Sequence, residues 1–229
     1  MENVFSVRGV AFLALFTALA FIGMQINFSQ LVGAQNQFFT LFQFYGPIAG
    51  GFLGVYGAFV VFAAQAVNLA ISGKSIEMLS LIRLLPMVFA AFFFSQYKRM
   101  KLDDKLSIAI PVIAMVSFWL TPAGLGAWYY ALFWTIPVIV KFLPDRLFLR
   151  SLGATFTAHA VGGALWAWTV PMTSAQWAML VPVTATERLL FAAGIAISYV
   201  FFTNVLNAVD KAFDISKYVN VERQYVLHF

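Results

Sequence analysis

Residues 38–72 read FFTLFQFYGPIAGGFLGVYGAFVVFAAQAVNLAIS, and no charged side chain interrupts them. A helix needs about 20 apolar residues to cross a bilayer, so this run is too long for one ordinary crossing. Within it, YGPIAGG (45–51) combines a proline with three glycines, the composition of a tight turn. The stretch therefore reads as a short span over about 38–47, a turn at Pro47 and a further span over about 50–72.

The rest of the chain has the same character. It is 62% hydrophobic and 10% charged, whereas soluble domains carry about 25% charged residues. Further long apolar runs lie at about 9–28, 77–97, 107–121, 125–143, 149–170 and 184–209, and Pro182 is expected to keep the last from starting earlier. The fold class is an all-α, polytopic integral membrane bundle of six to eight transmembrane helices, forming one transmembrane domain over 1–229. A barrel would show short alternating segments instead. With no cysteine, disulfides and thiolate chemistry are excluded. At the N-terminus, ALA (18–20) resembles a signal cleavage site. Apolar character nevertheless continues to Ile26 and Glu2 interrupts a basic leader, so the segment reads as uncleaved.

A net charge of +5 reads here as orientation rather than nucleic-acid binding. Arg8, the Lys98, Arg99, Lys101 and Lys105 group, the Lys141, Arg146 and Arg150 group, and Lys211, Lys217 and Arg223 share one face if there are eight spans. By the positive-inside rule that face is cytoplasmic, with both termini inside. A single crossing over 38–72 would split these groups. Lys74, Arg83 and Arg188 fall on or near the outer side.

Polar groups inside the spans gather at the outer depth. Gln25 and Asn27 end the first span. Gln65 and Asn68, three apart on one face, lie near the outer end of the third. Arg83, Glu187 and Arg188 lie about one or two turns below the outer ends of their spans, and His159 is near the middle of its own. Glu187 shares a face with Thr184, Phe191, Gly194 and Ser198, and His159 with Thr155, Gly162, Gly163 and Trp166. Small and polar stripes mark faces turned toward other helices, and ionisable groups within spans usually have a function. The expectation is a substrate pocket open to the outside, lined by Arg83, His159, Glu187, Gln65, Asn68 and Trp166. Trp166, Trp168 and Trp177 would stand at its mouth to stack on a planar ligand, while Arg83 and Arg188 hint at an anionic group.

Plainer readings stand beside these. Arg188 snorkels to the interface, Glu187 serves the helix dipole, Trp177 belongs to an interfacial belt, or His159 holds a neighbouring helix. NLAISGKS (68–75) ends like a phosphate-binding loop, but Asn68 stands where its first glycine belongs and no strand precedes it. One intramembrane histidine, with His228 far away in the tail, makes no metal site. No cofactor is expected.

Three features carry a family resemblance. They are AFLALFTALAFIGM in the first span, with Ala11, Ala14 and Ala18 in a small-residue stripe, FYGPIAGGFLGVYGAF, and the ending WAMLVPVTATERLLFAAGIAISYV. Together they resemble the substrate-binding S component of energy-coupling factor transporters, over about 8–97 and 147–209 and leaving the hairpin 107–143 outside. The resemblance implies a non-enzymatic capture subunit in a prokaryotic plasma membrane that takes up a vitamin or similar micronutrient. It further implies docking through Ala14 and Ala18 on a transmembrane T component and energy from ATPase partners. The residues also leave open a proton-coupled secondary transporter with Glu187 and His159 as relay. A third reading is an intramembrane enzyme with His159 as base beside Thr155, Thr157 or Ser151.

Overall fold

A computed structural model describes residues 7–30, 38–73, 77–96, 105–213 and 215–227. It is helical apart from one two-stranded hairpin. The elements are α1 (Val7–Met24), β1 (Asn27–Gln30), β2 (Phe38–Thr40), α2 (Phe42–Tyr45), α3 (Ile48–Leu53), α4 (Tyr56–Ile71), α5 (Met78–Ile82), α6 (Leu85–Gln96) and α7 (Lys105–Trp119). Then come α8 (Pro122–Gly126), a 3-10 helix (Trp128–Thr135), α9 (Ile136–Lys141), α10 (Leu147–Thr169) and α11 (Ser174–Phe213). Two helical stretches, Met78–Gln96 and Ser174–Lys211, are long and apolar enough to cross a membrane, and Tyr56–Ile71 and Lys105–Trp119 are shorter apolar helices.

In the stretch 38–72 the chain turns back later than the sequence predicts. Pro47 sits in right-handed helical conformation as the N-cap of α3 rather than at a reversal. The reversal comes at Gly54, with φ of 61° and ψ of −143°. That backbone conformation is open to glycine and strained for any side chain. On the way in, Gln43 borders the same cavity as Gln65 and Asn68 on the way back. At the turn, the Phe52 carbonyl accepts from the backbone N–H of Asn220 in the C-terminal tail.

Helix α10 is the centre. It packs against α6, α7, α9 and α11. Gly153, Ala154, Thr155, Ala158, Ala160, Gly163 and Ala164 are all buried along it, and such small side chains let neighbouring backbones approach closely. Two apolar cores flank it. One joins Phe16, Phe42, Ile48, Phe52, Val61, Phe93 and Tyr199. The other is aromatic, built on Phe118, Tyr130, Trp134, Trp166 and Trp177.

Helix α11 corrects another expectation. It begins at Ser174 and runs 40 residues straight through Pro182. A proline inside a helix loses one backbone hydrogen bond and kinks the rod without having to end it. The α5–α6 rod, by contrast, is interrupted at Arg83 and Leu84, just before Pro86. The Gln65 amide donates to the Leu84 carbonyl at 3.0 Å across that break.

The end of the bundle away from the hairpin is closed by the C-terminal tail. Arg150 (1% exposed) and Glu222 (5% exposed) pair at 2.7 Å. Tyr199 donates to the same carboxylate oxygen at 2.7 Å, and Asp145 pairs with Arg150 at 3.0 Å. Arg150 and Lys141 are therefore buried structural cations rather than free loop charges. Lys141 donates to the Gln96 carbonyl and lies over the Phe93 ring.

Candidate functional site

A partly open cavity of about 700 Å³ lies among the helices. All six residues expected to form a pocket, Gln65, Asn68, Arg83, His159, Trp166 and Glu187, border it. They come from α4, the α5–α6 break, α10 and α11, so no single element makes the site.

The roof is the β-hairpin; residues 31–37, between its strands, lie outside the described residues. Its strands pair antiparallel, with Asn27 opposite Thr40 and Ser29 opposite Phe39. Each side of the hairpin is tied to the cavity wall. Ser29 donates to Glu187 Oε1 at 3.0 Å. Arg83 Nη2 donates to the Phe38 carbonyl at 2.9 Å. Gln25 donates to Asn68 Oδ1 at 2.9 Å, joining the end of α1 to α4.

His159 is held on both ring nitrogens. The Trp134 indole N–H donates to Nδ1 at 2.9 Å, and Nε2 lies 3.0 Å from the Tyr130 hydroxyl. An indole N–H can only donate, so Nδ1 accepts and the neutral ring carries its proton on Nε2. Nε2 then donates to Tyr130, whose hydroxyl also meets Thr184 Oγ1 at 2.8 Å, a contact in which either hydroxyl can donate. The network links Trp134, His159, Tyr130 and Thr184. His159 is therefore chiefly the anchor of this network, as its plainer reading holds. Among the described residues, neither Thr155 nor Glu187 is hydrogen-bonded to His159.

Arg188 turns inward rather than snorkelling. It is 1% exposed, and its guanidinium lies 4.3 Å from the Phe191 ring centre and 4.8 Å from that of Phe39. Its polar contacts are long: 3.4 Å to Glu187 and 3.5 Å to the Thr155 hydroxyl. Its Nε has no partner among the described residues. N–H···O bonds are normally 2.7–3.2 Å, so this buried cation is loosely held. The inward stripe of α11 is Thr184, Arg188, Phe191, Ile195 and Tyr199, with Glu187 half-buried at its edge. Phe191 thus forms an aromatic wall against the arginine rather than the acid. No Glu187–Arg83 bridge forms among the described residues.

The tryptophans divide. Trp166 and Trp177 line the cavity, and Trp177, 2% exposed, packs edge-on to Phe118 and Tyr130 instead of joining an interfacial belt. Trp168 faces outward and donates to Ser117 on α7, away from the mouth. Tyr130, Trp134 and Thr184 were not expected in the site. The first two belong to 107–143, and an apolar hairpin carries no polarity signal for an aromatic hydroxyl aimed across helices.

On α1, Ala14 and Ala18 are exposed side by side along the helix, while the Ala11 side chain lies outside the described residues. Among the described residues no three potential metal ligands converge. The arrangement suits binding: a roofed chamber with two guanidinium groups, two carboxylates, side-chain amides and aromatic walls. No family model, curated protein or solved structure matches this chain.

Proposed function

We propose that the protein is a membrane-embedded substrate-capture subunit that takes a vitamin-sized molecule from outside the cell and is energised by partners. In this reading the chain crosses a prokaryotic plasma membrane six to eight times with both termini cytoplasmic, and lipid surrounds the bundle. The observation that carries it is the roofed cavity, where polar residues from four separate parts of the chain meet inside an otherwise apolar bundle. Pockets of this size with a few converging polar groups are typical ligand sites. The outside of the bundle favours lipid contact: Phe59, Ile71, Ile113, Leu120, Ile197 and Phe201 are all exposed, more apolar surface than a water-soluble monomer usually shows. The opposite end is filled by the Arg150–Glu222 network and the tail. A continuous polar path, which a secondary carrier would use, is not favoured by that packing.

Ala14 and Ala18 are the proposed docking face for a transmembrane T component, itself joined to ATPase subunits. The test is isolation of the full chain from its native membrane. Wild type should bring down the T component and ATPases. Ala14→Trp and Ala18→Trp should lose these partners while retaining any bound small molecule, because close helix approach depends on small side chains. Isolation of wild type without an ATPase would overturn the partner reading. Variants that keep their partners would move the docking face elsewhere.

A further inference from the structure

Resting on the capture reading of this same cavity, the geometry points to an organic monoanion as its ligand: a carboxylate on a flat apolar body, with a neutral hydrogen-bond acceptor at the far end. The carboxylate is received at Arg188, the body lies along Trp166 and Phe39, and the remote acceptor meets the Trp177 indole N–H.

The hydrogen-bonding capacity of the cavity is lopsided. Arg188 Nε and Trp177 Nε1 are both buried without a partner among the described residues. Each is a group that can only donate. The Thr184 hydroxyl, 2.8 Å from that of Tyr130, borders the cavity between these two donors along α11. Arg83 has no carboxylate partner among the described residues; its Nη2 is engaged by the Phe38 carbonyl. On the accepting side, Glu187 already takes the Ser29 hydroxyl on one oxygen and the long Arg188 contact on the other. A buried donor left unmade is costly, and an acceptor on the ligand removes that cost.

Charge and spacing narrow the ligand further. Two guanidinium groups, Arg83 and Arg188, and two carboxylates, Glu187 and Glu77, line the chamber, and Glu77 is the exposed one. Solvent screens the Glu77 charge, so the less exposed lining sets Arg83 and Arg188 against Glu187 alone, and one negative charge on a ligand balances the difference. Trp177, Thr184 and Arg188 lie on one stripe of α11, seven and eleven residues apart. At helical rise these donors step over roughly 16 Å before side-chain reach is counted, so one small group cannot meet both ends. Two separate acceptors on an elongated molecule can. Between them the wall is apolar and aromatic, with Phe39, Trp166 and Leu180 among its lining.

The experiment uses the full chain in lipid nanodiscs and a panel of ring-bearing monocarboxylates of vitamin size. Each is matched with its primary amide and with the amine that replaces its carboxyl group. Thermal stabilisation screens the panel and calorimetry gives affinities. At least one carboxylate should bind, with its amide and amine each about 10- to 100-fold weaker, the factor expected for a charge-assisted contact. Arg188→Gln should bring that carboxylate down to the affinity of its amide. Trp177→Phe keeps a ring and removes only the N–H, and should weaken the carboxylate about 3- to 10-fold. If Arg188→Gln fails to fold, Arg83→Gln and Trp177→Phe carry the comparison. Preference for amides or amines over carboxylates would overturn the anion assignment and leave the capture reading standing. Binding by no member of any class would sink the capture reading itself, and the ligand assignment with it. Equal carboxylate affinity in wild type and all folded variants would also overturn the assignment.

Discussion

A guanidinium on an apolar helix has two ways to avoid an uncompensated charge: it reaches for the membrane surface or it finds partners inside. Arg188 and Arg150 both take the second way, with opposite outcomes. Arg188 keeps long contacts and an Nε with no partner among the described residues, so it is loosely held. Arg150 is held between Glu222 and Asp145, the condition of a structural clamp. Removing one partner from a buried ion pair leaves the other charge uncompensated and typically costs about 3–5 kcal/mol. Glu222→Ala should therefore lower the unfolding temperature markedly and loosen the tail. Arg150→Met with Glu222→Leu together should recover most of the loss. An unchanged melting temperature for Glu222→Ala would show that the pair contributes nothing to stability.

At the scale of elements, the stretch 38–72 was legible as two helical limbs and misplaced at its turn. Proline and glycine mark where a chain can bend, but several such residues lie within a few positions, and packing selects one. Helices α3, α4 and α6 come together around Ala49, Val61 and Ala91, and that contact needs the reversal at Gly54. Gly54→Val should cost about 1–3 kcal/mol, since a β-branched residue is strained at that positive φ, whereas Gly162→Ala, within α10 and with Pro86 at 3.4 Å from the added Cβ, is the control without that strain. Denaturant unfolding of the two variants checks this; equal effects would put the strain elsewhere. Pro182 shows the converse error. A single proline is a weak helix stop when the surrounding packing of α11 outweighs one missing hydrogen bond.

For the whole molecule, orientation is the open prediction. The chain has no cysteine, so single cysteines report cleanly. Cysteine at Gln176, at the start of α11, should be labelled by a membrane-impermeant reagent added to intact cells, as should Gly33 and Ser75. Cysteine at Met100 should react only after permeabilisation. Gly33, Ser75 and Met100 lie outside the described residues, so this rests on the charge pattern alone. Outside labelling at Met100 would invert the proposed topology.

Composition and run length alone determined that the chain is helical and that it carries segments apolar enough for a membrane. Both follow from averages over many residues, which single contacts do not alter. Sequence depth also picked out Gln65, Asn68, Arg83, His159, Trp166 and Glu187, because polar groups are costly in apolar helices wherever they face. Tertiary structure decided what each polar group touches. Only packing takes up His159 on both nitrogens with Trp134 and Tyr130, turns Arg188 inward and Trp168 outward, and folds the tail over Arg150. Those outcomes depend on side chains tens of residues apart meeting at hydrogen-bond distance. Periodicity along one helix names the face a residue occupies, but the partner opposite that face is chosen by the assembled bundle.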